Sequence, residues 1–297
     1  MINQSPTDSL YLPLLGLSVN ALSKHDLIAL ASEAVQDGRR CVVGNYNLHA
    51  VYLSQRDEKM QQFYAQADFV HIDGMPLIFS GWLSGLPLAR KHRTGYVDLL
   101  PVLMARASAE GWRIFYLGSK PGVAAKGAAS LAKQYPNVEI RTRDGYFDPA
   151  NQSENDAVIE DIREFSPHIL LVGMGMPRQE AWILDNLDRI QSNAIFCCGA
   201  LIDYIAGETR TPPRWLGQIG LEGVYRLFSE PRRLWRRYLV EPILIAQFLL
   251  AKFVRRRSKQ SVSGVEAVRE IQTQLPAQAS VEIDEAQTSD ADKSLVA

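Results

Sequence analysis

The chain has 297 residues, is 46% hydrophobic and carries a formal net charge of -1. That length and apolar content suffice for one large α/β domain or two small ones, and the near-zero charge argues against a general nucleic-acid binder. The three cysteines (Cys41, Cys197 and Cys198) are odd in number, with a pair adjacent in an apolar run. They read as buried reduced thiols and fit the cytoplasm rather than a disulfide framework.

Taken in chain order, residues 1–22 read as an irregular lead-in, with neither the basic region nor the long apolar run of a signal peptide. Short β-branched or aromatic runs then predict strands at Arg40–Gly44, Phe69–Ile72, Arg113–Leu117, Val138–Arg141, His168–Val172 and Ala194–Cys198. Amphipathic stretches predict helices at Ser23–Asp37, Val97–Glu110, Val123–Tyr135, Asn155–Phe165 and Arg178–Leu187. Strand–helix alternation of this kind predicts an α/β fold: a Rossmann-like, mostly parallel sheet with helices on both faces. After Asp203 the pattern changes to a helical, basic and aromatic C-terminal appendage. The division expected is an α/β core over 1–205, the appendage over 206–258 and a disordered acidic tail over 259–297.

Parallel sheets bind ligands beyond the C-terminal ends of their strands. Small or polar residues gather there: Asn45 and Asn47, Asp73-Gly74, Gly118-Ser119-Lys120, and Gly173-Met174-Gly175 with Gln179 and Glu180. Asp73 suits a general base and equally suits a cap for a helix over Met75–Trp82. Gly118-Ser119-Lys120 offers amides and a cation to a diphosphate, or is an ordinary βα turn. Gly173-Met174-Gly175 lacks the last glycine of a dinucleotide fingerprint, because Arg178 stands there. Gln179 and Glu180 suit hydrogen bonds to a nucleotide or sugar, or simple helix-start polarity. Arg93 suits an anion, and Thr94 a substrate contact or a cap. The five histidines show no ligand spacing, so no metal or cofactor is expected.

From 210 to 259 there are twelve Lys/Arg against three Glu, and from 261 to the end seven acids against two basic residues. A basic surface followed by an acidic tail is the natural reading. Arg226, Arg233 and Arg236 would share a face within a helix, and Pro231 suits the start of a new one. The apolar run Ile243–Val254 is too short to span a bilayer. It suits an interfacial position on a membrane, or packing on the domain or on another subunit.

Several motifs together resemble one family, the WecG/TagA/CpsF glycosyltransferases. They are Asn47, Asp73-Gly-Met, Arg93-Thr-Gly-x-x-Asp98, Leu117-Gly118-Ser-Lys-Pro-Gly122, Gly145-Tyr-Phe147, Gly173-x-Gly-x-Pro-x-Gln-Glu-x-Trp182, Asp203-x-x-Ala-Gly207, Gly220-Leu-Glu, Tyr225-Arg-Leu and Glu230-Pro-x-Arg233. The resemblance covers roughly 12–254. It implies an inverting, metal-independent transferase that uses a UDP-sugar donor and an undecaprenyl-diphosphate-linked sugar acceptor in exopolysaccharide or cell-surface glycan synthesis. It further implies a cytoplasmic protein peripheral on the inner face of the membrane, with self-association open. Asp73 is then the base and Asn47 a neighbouring polar group. Asn45, Arg93, Thr94, Gly118, Lys120, Gly173, Gly175, Gln179, Glu180, Asp203, Arg226, Arg233 and Arg236 are substrate-binding. Three positions depart from the pattern: Asn45 where many relatives have Thr, Thr211 where relatives often have Arg, and Gly223 in place of a common Trp. A nucleotide-sugar isomerase or epimerase and a non-catalytic scaffold for lipid diphosphates are the competing readings.

Overall fold

In a computed structural model of the chain, the described residues are 7–213, 215–216, 221–247 and 249–250. The chain up to Ile245 forms one compact unit, and a second begins at Ala246. The predicted tail over 259–297, Arg255–Arg257 and the far end of the apolar run lie outside the described residues.

The first correction comes at the N-terminus, where the lead-in is partly a hairpin. β1 (Ser9–Leu12) and β2 (Leu17–Asn20) pair antiparallel, Leu12 opposite Leu17. Leu10, Leu12 and Val19 turn inward while Ser9 and Tyr11 face solvent. Asn20 ties the hairpin to the main sheet, because its Oδ1 accepts from the Val70 amide at 2.8 Å.

The main sheet is six-stranded: β3 (Cys41–Tyr46), β4 (Phe69–Ile72), β5 (Arg113–Gly118), β6 (Glu139–Arg143), β7 (Ile169–Gly173) and β8 (Ala194–Cys197). Its order is β4-β3-β8-β7-β5-β6, with every neighbouring pair parallel. All six predicted strands are present, within two residues at each end.

Alternation along the strands builds two apolar layers. Val43, Ile114, Tyr116, Ile169, Leu171 and Phe196 join one cluster, whereas Val42, Phe115, Leu117, Leu170, Val172 and Ile195 join the other. Helices α1 (Lys24–Gln36), α5 (Tyr96–Glu110) and α6 (Val123–Gln134) feed the first cluster. α3 (Glu58–Gln66), α7 (Gln152–Phe165) and α8 (Arg178–Asn186) feed the second. Buried on both faces, the central strands read as continuous apolar runs.

Local signals set the helix ends. Ser23 and Asp26 form a reciprocal capping box on α1, and Asn151 accepts from the amides of Ser153 and Glu154 at the start of α7. α2 (Leu48–Ser54) is capped by Asn47, whose Oδ1 accepts from Ala50 N at 3.0 Å. α4 (Met75–Leu83) has Gly74 at its cap position and no side-chain cap. Asp73 is therefore not a helix cap, because the chain needs one more residue before the first turn. α9 (Leu201–Ile205) follows β8. Beyond it, α10 (Glu222–Ser229), α11 (Pro231–Trp235) and a π-helical turn (Arg236–Val240) lie in the appendage. Pro231 opens α11, as the sequence predicts.

Asn155, Trp182 and Asn186 form a closed polar network inside the second layer. Trp182 Nε1 donates to Asn155 Oδ1 at 2.7 Å, Asn155 Nδ2 to Asn186 Oδ1 at 2.7 Å, and Asn186 Nδ2 to the Trp182 carbonyl at 2.9 Å. Each bond depends on the others being made in a place without water. Trp182→Phe is expected to lower stability by about 1–3 kcal/mol, because it strands a buried acceptor. A urea titration checks this, with a lower midpoint and an unchanged slope as the expected result.

Candidate functional site

A cavity of about 470 Å³ opens over the C-terminal ends of β3, β4, β7 and β8. The chain runs outward from β3 to β4, then re-enters at β5 on the far side and returns through β7 to β8, which fills the place beside β3. Such a reversal opens a crevice at the strand ends, where parallel sheets bind ligands.

Asp73 stands directly after β4. Its amide donates to the Tyr46 carbonyl at 2.9 Å, which extends the β3–β4 pairing by one step. Arg93 is bridged parallel to Ile72, and Thr94 N donates to the Ile72 carbonyl at 2.8 Å. Backbone pairing thus brings Asp73 and Arg93 together on the sheet's edge. Gly95 fits tightly between them: a Cβ there would lie 3.4 Å from both Arg93 Nη2 and Asp73 Oδ1. From β3, Asn45 Nδ2 reaches Asp73 Oδ2 at 3.5 Å, and its own Oδ1 is buried without a partner.

Burial pushes the Asp73 carboxyl up to about 6. Arg93 opposes the rise, Glu222 adds to it, and Arg226 and a hydrogen bond from Asn47 oppose it. The group is thus an ionisable acid whose affinity for a proton sits close to neutrality, facing a cleft. Perturbed carboxyls in such positions are candidates for acid–base work.

The appendage supplies a second wall, with Glu222, Arg226, Leu234, Arg236, Arg237 and Glu241 lining the cavity. Glu222 bridges two arginines. Its Oε2 lies 2.5 Å from Arg93 Nη2 and its Oε1 2.7 Å from Arg226 Nη2. Arg226 also lies over the Tyr204 ring, 5.2 Å from its centroid. Glu241, 5% exposed, meets His49 Nδ1 at 2.7 Å. Arg226 and Arg236 lie on either side of the helix start at Pro231, and both line the cavity. The Arg233 side chain lies outside the described residues.

The other predicted residues divide. Asn45, Asn47, Asp73, Arg93, Gly175 and Gln179 line the cavity with Arg226 and Arg236. Thr94 does not: it is 2% exposed, its hydroxyl donates to the Leu22 carbonyl at 3.4 Å, and Gly95 holds the cap position of α5. Gly118 and Gly173 serve close packing, since a Cβ on Gly118 would lie 2.3 Å from the Gly173 carbonyl and one on Gly173 2.0 Å from Tyr116 Oη. Lys120 is exposed outside the cavity. Asp203, on α9, accepts from the Ser119 hydroxyl and ties that helix to the turn after β5.

Gln179 is fully buried and acts as a staple. Its Oε1 accepts from Gly175 N at 3.2 Å and Gly199 N at 3.3 Å, while its Nε2 donates to Glu180 Oε1 at 2.8 Å. Glu180 lies 1% exposed behind it rather than in the cavity, and burial raises its carboxyl to about 7. Sequence reasoning missed Tyr204, His49, Arg237 and Glu241 as lining residues. His49 and Glu241 carry no local signal, because their contact spans 192 positions. Glu222 stood in plain view within Gly220-Leu-Glu, with no role assigned to it. Among the described residues, no group of three His, Cys, Asp or Glu side chains is placed to hold a metal ion, and no helix is long and apolar enough to cross a membrane. All three cysteines are free and buried.

A family model described as "Glycosyl transferase WecG/TagA/CpsF family" matches residues 12–259. The match spans the sheet, the cavity and the appendage wall, and the chain belongs to this family of glycosyltransferases.

The raised Asp73 carboxyl has a consequence for stability. Between the ordinary value of 3.8 and the folded value of about 6, the folded chain holds more protons than the unfolded one. Stability contributed by this site therefore falls as pH rises through that window, and the full cost of ionising the buried group applies above it. Asp73→Asn is expected to match the wild type near pH 4 and to exceed it by up to about 2–3 kcal/mol above pH 6. Chemical unfolding at pH 4, 5, 6 and 7.5 measures the gap. A gap independent of pH would contradict the assignment.

Proposed function

We propose that this glycosyltransferase moves a hexosyl or N-acetylhexosaminyl group, with inversion, from a UDP-sugar to an undecaprenyl-diphosphate-linked sugar, Asp73 acting as the base. The observation that carries the reading is the juxtaposition in one cavity of a proton-seeking carboxylate and a group of guanidiniums, Arg93, Arg226 and Arg236. A single-displacement transfer needs both. Asp73 takes the proton of the acceptor hydroxyl as its oxygen attacks the anomeric carbon. The bond from that carbon to the β-phosphate oxygen breaks, and UDP departs with the electron pair. The arginines meet the charge that builds on the leaving diphosphate. Each well-placed contact is worth about 2–4 kcal/mol, the range for removed oxyanion donors. With cations of the chain in that role, transfer is expected to survive chelation of divalent ions.

In this reading Asn45 and Asn47 hold the Asp73 carboxylate and contact the reacting sugars. The core over 1–205 binds the donor, and the appendage over 206–258 closes the cavity and meets the inner face of the membrane. The product belongs to exopolysaccharide or another cell-surface glycan.

Asp73→Asn is expected to lower kcat by about 10²–10⁴-fold, the usual worth of a general base, with UDP-sugar affinity within threefold of wild type. Wild-type kcat is expected to rise with pH to a plateau above about pH 6, the range to which burial raises Asp73. Single-turnover transfer to a polyprenyl-diphosphate-sugar, run with and without chelator across a panel of UDP-sugars, measures both. Unchanged turnover in the variant would remove the base assignment. Epimerised free donor in place of transfer would replace the reaction class.

Deleting Gly220–Ala297 removes Glu222, Arg226 and Arg236 from the cavity wall. Transfer to a lipid acceptor and sedimentation with anionic vesicles are both expected to be lost. A truncated chain that sediments and turns over normally would overturn the role given to the appendage.

A further inference from the structure

Within the cavity the two arginines beside Asp73 are not idle cations. The Glu222 carboxylate spans them, one oxygen on each: Oε2 at 2.5 Å from Arg93 Nη2 and Oε1 at 2.7 Å from Arg226 Nη2. Arg93 comes from the sheet edge and Arg226 from the appendage, so one carboxylate joins the two walls of the cavity. Two guanidiniums gripping the two oxygens of one anion are also the geometry that grips a phosphoryl group. Arg226 keeps a further donor in reserve, since its Nε is buried with no partner. Glu222 itself is within reach of solvent, its side chain 25% exposed, so rotation about its own bonds can withdraw it without unfolding α10.

We infer that Glu222 is an internal stand-in for the donor's diphosphate, occupying the Arg93–Arg226 site until the nucleotide displaces it. The inference rests on the donor reading above and adds to it a residue that sets how tightly the donor is held. The exchange conserves the arginines' pairing: one carboxylate with a single charge leaves and a diphosphate with about two charges enters, so Arg226 is not left without a counter-charge in a part-buried site, where an unpaired charge is costly, while Arg93 keeps Asp98 at 3.3 Å throughout. It also weakens net donor binding by the free energy needed to displace Glu222. On product departure the carboxylate returns and competes with UDP, which favours release. Glu222 is thus a positioning residue for the two arginines and a competitor for their ligand, without contacting the reacting atoms.

A mere strut and a competitor predict opposite signs. Glu222→Gln keeps the shape and one acceptor but loses the charge. If Glu222 competes, the variant binds inorganic pyrophosphate and UDP at least fivefold more tightly by calorimetry at low salt, and steady-state transfer shows a lower donor KM with a lower kcat. Glu222→Asp, which keeps the charge but is too short to span both arginines, is expected to fall between wild type and Glu222→Gln. Glu208→Gln removes one negative charge from the exposed pair with Lys126, outside the cavity, and is expected to leave pyrophosphate affinity unchanged. Equal or weaker pyrophosphate binding in Glu222→Gln would overturn the inference, as would equal tightening in Glu208→Gln. The two readings fail separately. A wild type that binds pyrophosphate but not UDP removes the donor reading and leaves the pyrophosphate contrast to decide on Glu222. A wild type that binds UDP, with no tightening in the variant, removes only the inference.

Discussion

The site depends on one electrostatic constraint: a carboxylate held away from water within reach of guanidiniums it does not pair with directly. Isolated, Asp73 would be driven neutral by burial; bound tightly to an arginine, it would be too weak a base. The carboxyl stays near 6 because Arg93 and Arg226 partly offset the burial while Glu222 partly neutralises those arginines. The opposing influences leave a group that is ionised at neutral pH yet still holds some appetite for a proton. That balance needs its participants fixed to within an ångström or so, and the sheet fixes them. Asp73 is set by pairing to Tyr46, and Arg93 and Thr94 by pairing to Ile72, so both side chains start from rigid backbone.

The floor of the cavity is fixed by a different device. The segments after β7 and β8 carry glycines with positive φ, Gly175 and Gly199. Glycine there permits the bend but leaves the backbone free to move. Gln179 removes that freedom by accepting from both amides at once, and Glu180 pins its amide group from behind. Burial raises the Glu180 carboxyl to about 7, which favours its neutral form over an unpaired charge in the core. Gln179 and Glu180 therefore shape the cavity by stiffening its floor, and Glu180 does so without reaching it.

This arrangement explains what was legible in the sequence and what was not. Five of the six strands are visible because they are largely buried and read as mostly apolar runs, whereas the part-exposed edge strand β6 shows only through Val138 and Ile140 among polar residues. The hairpin is hidden because only four residues of each strand pair, and the apolar Leu14-Leu15 within its turn blurs the alternation of Ser9–Leu12. At the site, residues that end a strand (Asn45, Asn47, Asp73, Gly175) are readable from topology alone. Thr94 and Glu180 mislead because a polar residue beside a site looks the same in sequence whether it faces the ligand or props up the wall. Asp73 reads in sequence as either a base or a cap, and the backbone removes only the cap by placing Gly74 at that position of α4. His49 and Glu241 are a tertiary pair, and no local pattern anticipates contact across 192 positions.

The appendage is conspicuous in sequence for its positive charge, but its two acids at the cavity determine where the described helices sit. Glu222 meets Arg93 of the sheet edge and Glu241 meets His49 of α2, so each contact points a carboxylate of the appendage at a nitrogen base of the core. Without these acids the arginines of the appendage would meet Arg93 with no carboxylate of their own to bridge to it. The acids supply that bridge and bring Arg226, Arg236 and Arg237 to the same cavity as Asp73. Part-buried polar pairs of this kind are a weak source of net stability, since desolvation offsets much of their attraction and burial lowers the affinity of His49 for a proton. Their value here is registry: they select one seating of a basic helical segment among many, and that seating holds the cations opposite the carboxylate. An anionic ligand that took over the arginines would inherit the same registry, because it would bridge the same two walls.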